Sequence, residues 1–170
     1  KKRKIIVDLE HLSVHVKTIP VLADIVSGKA KIAELHDVAI EDLLGRDSIT
    51  PDNKLFEQCI KNKVVLVSGA GGSIGSELCR QIIKHKPQHL ILFELSEFAL
   101  YSMEQEVKKL ISPDIYLTAL LGSVQDKKLL CSIFSAYGVN TVYHAAAYKH
   151  VPIVEENIIA GVQNNIFGTR

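Results

Sequence analysis

A glycine-rich segment constrains the fold of this chain more than any other feature. The run Gly69-Ala70-Gly71-Gly72-Ser73-Ile74-Gly75 follows the apolar residues Val64-Val65-Leu66-Val67, with Ser68 between them. A continuous apolar, β-branched run of this kind is typical of a strand that is buried on both faces of a parallel sheet. A helix is predicted to follow from about Ser73 to His85. The segment therefore predicts a buried strand, a tight glycine turn and a helix.

The glycines at positions 69, 72 and 75 each suit a turn that binds a dinucleotide. Gly69 permits the tight turn, Gly72 lets the backbone approach a pyrophosphate, and Gly75 lets the helix pack closely on the sheet. Ser73 and Ile74 lie at the helix start, where free N–H groups and the positive end of the helix dipole attract phosphates. A P-loop is excluded because no Gly-Lys-Ser/Thr follows. A flexible loop is the alternative to a dinucleotide site.

An acidic residue follows the second predicted strand. The strand His89–Phe93 is followed by Glu94, which lies 19 residues after Gly75. A carboxylate about 20 residues beyond the turn accepts hydrogen bonds from the adenosine ribose hydroxyls. It would repel the additional phosphate of NADP, so Glu94 favours NAD, and NADP stays open. A helix-capping or solvated acid is the other interpretation, and the nearby Glu97 is a candidate for either role.

Apolar strand-like runs alternate with amphipathic helix-like runs from residue 62 onward. The order is βαβαβαβα, which indicates a parallel sheet with right-handed crossovers and helices on both faces. We therefore predict an α/β fold: a Rossmann-type doubly wound parallel sheet, truncated at its C-terminal side, with a small N-terminal α+β extension. Before the first strand, a helix is predicted to start at Thr50-Pro51-Asp52, to run to about Lys61, and to bury Leu55, Phe56, Cys59 and Ile60. The later predicted elements are a helix capped by Ser96, strand Ile115–Leu121, helix Gln125–Tyr137, strand Thr141–His144 and helix Ile158–Gly168.

Two further strand ends point to the same crevice. Ser123 and Val124 follow the third strand, where they would line the adenine. Ala145, Ala146 and Ala147 follow the fourth strand, where small side chains let a cofactor lie against the backbone. Ligands of such sheets bind at the carboxyl ends of the strands, so four converging ends support one site. Tight helix packing is the alternative explanation of the three alanines.

Composition excludes several classes of protein. Of the 170 residues, 47% are hydrophobic and 23% are charged, which is typical of a globular protein and excludes general disorder. The net charge of +1 and the lack of basic patches beyond Lys1–Lys4 predict no nucleic-acid partner. No apolar run approaches the ~18 residues that cross a bilayer.

The cysteines and the chain start bear on the cellular setting. Cys59, Cys79 and Cys131 are odd in number and widely spaced, so they predict neither a metal site nor a disulfide framework. A reducing cytoplasm is the natural setting. The chain begins at Lys1 without a signal-peptide pattern, which predicts a piece of a longer protein.

Four motifs of the chain carry a resemblance: GAGGSIGSELCRQI (69–82), SEFALY (96–101), HAAAYKHVP (144–152) and NNIFGT (164–169). Together they resemble the extended short-chain dehydrogenase/reductase superfamily, and more closely the polysaccharide-biosynthesis nucleotide-sugar 4,6-dehydratases that typically act on UDP-N-acetylglucosamine. The upstream segments VKTIPVLADIVSGK (16–29) and IEDLLGRD (40–47) are similar to the linker before the catalytic domain of long, membrane-anchored members.

The resemblance implies a domain organisation and a reaction. Residues 1–20 would be the tail of a preceding domain, residues 21–61 a linker with short helices, and residues 62–170 the N-terminal part of the dinucleotide-binding domain. The parent protein would be anchored at the bacterial inner membrane, with this part in the cytoplasm. NAD would take a hydride from C4 of a UDP-sugar, water would leave across C5 and C6, and the hydride would return to C6. The product would serve surface polysaccharide or glycan biosynthesis.

The Tyr-x-x-x-Lys pair of the superfamily is absent from the sequence. None of the five tyrosines is followed four positions later by a lysine. We therefore expect the catalytic residues beyond Arg170, and no activity from this chain alone. By the family motif, Lys149 and His150 lie on the substrate side, with a solvated loop lysine as the alternative for Lys149. Asn165 is a candidate for bracing the strands, or an ordinary surface asparagine.

Three other functions stay open. A nucleotide-sugar epimerase or reductase of the same superfamily would share the glycine turn. A non-catalytic dinucleotide-binding module or a scaffold domain would share the fold without the reaction. A homo-oligomer is compatible with each of these alternatives.

Overall fold

The computed structural model of the chain describes residues 17–18, 36–37 and 52–170, which fall into two units divided between Pro51 and Asp52. In the first unit, strand β1 (Lys17–Thr18) pairs in antiparallel fashion with strand β2 (His36–Asp37). Most of the N-terminal extension, including the predicted linker helices before residue 52, lies outside the described residues.

The second unit alternates strands and helices along the chain. Through β6, the predicted elements are confirmed to within two residues at each boundary. The elements are α1 (Asn53–Ile60), β3 (Val64–Ser68), α2 (Ser73–Lys84), β4 (His89–Glu94), α3 (Glu97–Leu110), β5 (Tyr116–Leu121), α4 (Lys127–Tyr137), β6 (Thr141–His144), α5 (Val151–Glu156), α6 (Ile158–Val162) and the π-helix π1 (Gln163–Phe167).

The four strands of this unit form a parallel sheet in the order β5-β4-β3-β6. The register pairs Val64 with His89 at one end of β3, and Ser68 with His144 at the other end. The chain moves outward from β3 to β4 and β5, and then crosses back to β6. The carboxyl ends of β3 and β6 therefore flank a topological switch point, where such sheets bind ligands. The predicted Rossmann-type α/β fold is confirmed.

The central strands β3 and β4 are buried on both faces, as the apolar run of β3 predicts, whereas β5 and β6 are half-buried or exposed. Val65 and Val67 face one core cluster, whereas Leu66 faces the other. The first cluster packs the sheet against α1, α2 and α3, and the second packs it against α4. Two layers of helices thus hold the strand ends in place. None of the helices described is long and apolar enough to cross a membrane.

Helix α1 buries less than its apolar residues suggest. Ile60 is fully buried and Phe56 packs on the first cluster, but Leu55 and Cys59 are exposed, although their helical spacing predicts burial. The Phe56 ring stacks on His85 of the α2 C-cap at 5.2 Å. One side of α1 therefore contacts the core while the other faces solvent.

The last predicted helix, Ile158–Gly168, is not one regular helix. Its α-helical part ends at Val162, and residues 163–167 form the wider turn of π1. A separate helix, α5, precedes it and was not predicted. Pro152 in the first turn of α5 is a local signal for a helix start at that point.

Candidate functional site

The glycine turn between β3 and α2 requires glycine at position 69 for two reasons. Gly69 has φ +67°, a left-handed conformation that other residues rarely adopt. A Cβ atom there would also lie 2.8 Å from the backbone of Ala145 and Ala146. The turn is tied to the neighbouring strand, because the Gly69 N–H donates to the Phe93 carbonyl at 2.9 Å. The turn therefore lies tightly against the end of β6.

The start of α2 packs directly on this turn. A Cβ atom at Gly75 would lie 1.9 Å from the Gly69 carbonyl oxygen, so no side chain fits there. Gly72 is the N-cap residue of α2, and no side chain caps the helix. The first backbone N–H groups of α2, at Ser73, Ile74 and Gly75, are thus left for a ligand, as at other uncapped helix starts.

A cavity of about 270 Å³ opens beside the turn, at the carboxyl ends of the strands. The predicted residues Ser73, Ile74 and Gly75 do not line it, and the Ile74 side chain is exposed. The predicted residues that line it are Gly69, Gly72, Glu94, Ser123, Val124, Ala145, Ala146 and Ala147. Seven other residues complete the lining: Gly71, Phe93, Leu95, Ala99, Gly122, Tyr148 and Asn164.

Glu94 is held in one orientation by three backbone N–H groups. Its Oε1 atom accepts from Leu95 at 2.8 Å and from Ser96 at 3.0 Å. Its Oε2 atom accepts from Gly71 at 3.0 Å, which ties the glycine turn to the start of α3. Glu94 therefore lines the cavity and also satisfies backbone groups before α3. A carboxylate has about four acceptor positions, so one remains on Oε2 for a ligand.

Gly71 belongs to the site for a reason that the sequence pattern does not reveal. A Cβ atom there would lie 2.5 Å from the Ala99 Cβ atom of α3. A small residue is thus needed at both positions, because α3 begins directly above the turn. The spacing of glycines indicates three positions of the motif, whereas the contact with α3 accounts for the fourth glycine.

Two adjacent asparagines of π1 bond the segment after β6, which consists of the alanine wall (Ala145, Ala146 and Ala147) and Tyr148. Asn164 is 5% exposed, lines the cavity, and donates from Nδ2 to the Ala146 carbonyl at 3.3 Å. Asn165 accepts from the Tyr148 N–H at 2.8 Å and donates to the Tyr148 carbonyl at 2.9 Å. Asn165, predicted to brace the strands, thus bonds the loop after β6 instead, and Asn164 was not predicted. Its only signal in the sequence is its place beside Asn165 in the fourth motif.

A second cavity of about 520 Å³ adjoins the first. Lys149 and His150 both line it, and Ala147 and Tyr148 line both cavities. The structure thus brings the predicted substrate-side residues next to the predicted dinucleotide-side residues. Lys149 carries a positive charge and His150 has a ring N–H that can donate a hydrogen bond, as suits an anionic ligand.

No metal centre accompanies these cavities in the part of the chain that the structure describes. Within residues 52–170, and at the four described residues before them, no group of three or more His, Cys, Asp and Glu side chains could hold a metal ion. The buried thiol of Cys79 lies in the core, where desolvation raises its pKa to about 12. It is a packing residue and not a reactive thiol.

Several proteins of similar sequence are named for polysaccharide biosynthesis or for the conversion of UDP-sugars. Residues 65–170 match the protein family described as "Polysaccharide biosynthesis protein". The capsular polysaccharide biosynthesis protein CapD of Staphylococcus aureus is 42% identical over 151 residues, which are 89% of this chain and 25% of CapD. This chain thus spans about a quarter of the length of that relative.

Two relatives with named activities match a shorter part of the chain. A UDP-N-acetylglucosamine 4,6-dehydratase (inverting) of Campylobacter jejuni is 29% identical over 64% of this chain and 30% of its own length. A UDP-glucose 4-epimerase of Yersinia pestis is 34% identical over 62% of this chain and 30% of its own length. Among solved structures, that of Pen from Bacillus thuringiensis has a TM-score of 0.57 and 30% identity, covering 65% of this chain and 32% of Pen.

Proposed function

Because the chain belongs to the polysaccharide biosynthesis protein family, we propose that it is the NAD-binding part of a nucleotide-sugar 4,6-dehydratase. One observation carries this proposal. Eight residues assigned to a dinucleotide from the sequence, spread over four strand ends, line a single cavity beside an uncapped helix start. Such an arrangement is the usual dinucleotide site of a doubly wound sheet.

The residues present fit a dinucleotide. Gly69 and Gly72 expose backbone where a pyrophosphate would approach, and the N–H groups of Ser73, Ile74 and Gly75 would donate to its oxygens. The remaining acceptor position of Glu94 would bind the adenosine ribose. When bound, NAD would take up a hydride from the sugar and return it within the same turnover.

Glu94 supports NAD rather than NADP. Its carboxylate is held against the cavity by Gly71, Leu95 and Ser96, so it has little freedom to move away from an additional phosphate. Glu94→Gln keeps the size and removes the charge. We expect the preference for NAD over NADP to fall by about tenfold, since hydrogen bonds to charged groups contribute more than neutral ones. Glu104→Gln, which changes an acid on α3 that pairs with Lys108 at 3.0 Å, is the matched control.

The second cavity supports a nucleotide-sugar substrate. Lys149 would offer positive charge, and His150 a ring N–H group, to the diphosphate of a UDP-sugar next to the cofactor. The acid–base residues that act on C4, C5 and C6 would lie beyond Arg170, and the 170 residues alone would be inactive. We further propose a cytoplasmic, membrane-anchored and self-associating parent protein with the domain boundaries given above.

An epimerase is the second candidate, favoured by the 34% identity with the Yersinia pestis enzyme. Both reactions begin by oxidation at C4, so both would use the same cofactor cavity. They differ in the fate of the C4 ketone: the dehydratase loses water from C5 and C6, whereas the epimerase returns the hydride to the other face of C4.

Mass spectrometry separates these candidates. The full-length protein, meaning the natural chain that contains these 170 residues, is incubated with UDP-N-acetylglucosamine without added cofactor. A product lighter by one water supports the dehydratase and a retained dinucleotide together. A product of unchanged mass that separates chromatographically as an epimer supports the second candidate. If neither product forms, even with NAD or NADP added, the proposal is wrong.

A further inference from the structure

Three polar side chains next to the first cavity form a hydrogen-bonded chain of their own. The Ser68 hydroxyl, at the end of β3, lies 2.6 Å from Nδ1 of His144, at the end of β6. Nε2 of the same imidazole lies 3.0 Å from the Thr169 hydroxyl. None of the three residues lines either cavity described above. Ser68 is 2% exposed, so its hydroxyl is committed to this contact.

The direction of the hydrogen bonds follows from the last residue of this chain of bonds. The Thr169 hydroxyl donates its only hydrogen to the Asn165 carbonyl at 2.9 Å, so towards His144 it acts as an acceptor. The hydrogen-bond pattern therefore assigns a proton to Nε2 of His144. In the tautomer with a proton on Nε2 alone, Nδ1 accepts a hydrogen bond from the Ser68 hydroxyl. One imidazole tautomer satisfies all three side chains.

These bonds join the parts of the site that must stay close together. Ser68 and His144 are paired residues of the neighbouring strands β3 and β6. Each is followed directly by a residue that lines the cavity, Gly69 after Ser68 and Ala145 after His144. The Ala145 N–H also donates to the Ser68 carbonyl at 3.0 Å. Gly69 and Ala145 approach so closely that Gly69 has no room for a Cβ atom.

The far end of the chain of bonds reaches the second cavity. Thr169 is bonded to the backbone of Asn165, whose side chain holds both backbone groups of Tyr148. Tyr148 lines both cavities. The imidazole of His144 thus connects the glycine turn, through π1, to the residue that the two cavities share.

We propose that His144 is a positioning residue, which sets the separation of the glycine turn from the alanine wall and holds Tyr148 in place without touching a ligand. The proposal rests on the proposed function, because it takes the ligand of the first cavity to be NAD. We call the three hydrogen-bonded side chains of Ser68, His144 and Thr169 the relay; no proton transfer is implied. Breaking the bond at Ser68 or at Thr169 is expected to weaken NAD binding through the same imidazole.

Thr169→Val and Ser68→Ala break the relay at its two ends. We expect each to weaken NAD binding by the full-length protein about five- to tenfold, the usual loss for one hydrogen bond. Thr169→Ser keeps the hydroxyl and should bind within about twofold of wild type. Far-UV circular dichroism and urea unfolding show whether each variant is folded. If folded Thr169→Val binds NAD as tightly as wild type, the positioning role is refuted.

A double-mutant cycle tests whether the two ends act through one imidazole. Ser68 and Thr169 have no direct bond, so independent effects on affinity would multiply. The relay instead predicts that the double variant binds NAD about as tightly as whichever single variant has the lower affinity for NAD. Multiplied effects would overturn the proposal.

A spectroscopic measurement on wild type does not depend on any variant. The ¹⁵N chemical shifts of His144 at pH 7.5 should show the proton on Nε2, and a proton on Nδ1 would overturn the relay. If wild type binds no NAD, the proposed function itself fails and the positioning role fails with it. If wild type binds NAD while the tautomer or the cycle disagrees, the relay alone fails.

Discussion

The packing of Gly75 on the glycine turn predicts a substitution that reverses the usual helix rule. Replacing glycine by alanine inside a helix usually stabilises a protein by about 1 kcal/mol, because alanine restricts the unfolded chain and favours the helix. At Gly75 the new Cβ atom would lie 1.9 Å from the Gly69 carbonyl oxygen and 2.7 Å from its carbon. Both are backbone atoms, so α2 or the turn must move.

The magnitude follows from the competition between these two effects. Overpacking a tight contact costs about 1–3 kcal/mol, and a backbone contact without rotamer freedom belongs at the upper end. After the gain of about 1 kcal/mol from helix propensity, we expect Gly75→Ala to lower the free energy of unfolding by about 2 kcal/mol. Moving α2 away from the turn also displaces the N–H groups that we propose bind the pyrophosphate, so NAD affinity should fall at least about tenfold.

Urea unfolding followed by circular dichroism measures the first effect, and NAD titration of the folded protein measures the second. Gly161→Ala is the matched control, since its Cβ atom would lie 2.7 Å from Val154 Cγ1, the end of a side chain that can rotate. We expect that variant to change stability by less than about 1 kcal/mol. If Gly75→Ala is as stable as Gly161→Ala, the close packing of α2 on the turn is not a determinant of the site.

Three other predictions concern single side chains. In the native chain at pH 7.5, iodoacetamide should label the exposed thiols of Cys59 and Cys131. It should not label Cys79, because burial raises the pKa of that thiol to about 12. Labelling of all three cysteines would refute this prediction. Partial burial lowers the pKa of His89, so the unfolded chain binds more protons than the folded chain as pH falls below about 6.5, and the folded state loses stability. His89→Gln should therefore reduce the loss of thermal stability between pH 7.5 and 5.5. An unchanged pH dependence of thermal unfolding would contradict this prediction. Asp126→Ala removes the cap that accepts from Leu129 at 3.0 Å and should destabilise the chain by about 1 kcal/mol, whereas Asp126→Asn should stay near wild type in urea unfolding.

Much of the fold follows from patterns that are local in the sequence. The apolar run before the glycine turn, Ser96 and Asp126 as caps, and Gly138 in the left-handed conformation all act within one element or one turn. Such signals depend on backbone geometry and nearest neighbours, so they survive without knowledge of the rest of the chain. The parallel order and the convergence of strand ends then follow from the alternation of strands and helices.

Contacts between distant segments account for what the patterns could not predict. Leu55 and Cys59 are exposed because α1 is covered on one side only, and π1 replaces α-helix where two asparagines bond the loop after β6. Gly71 is needed because α3 begins above it.

The bonds of His144 make the same point most clearly. It meets Ser68 across 76 positions of the sequence and Thr169 across 25. Local propensity sets which elements form, but such pairings depend on how those elements dock, and docking is decided by the packing of whole faces against each other.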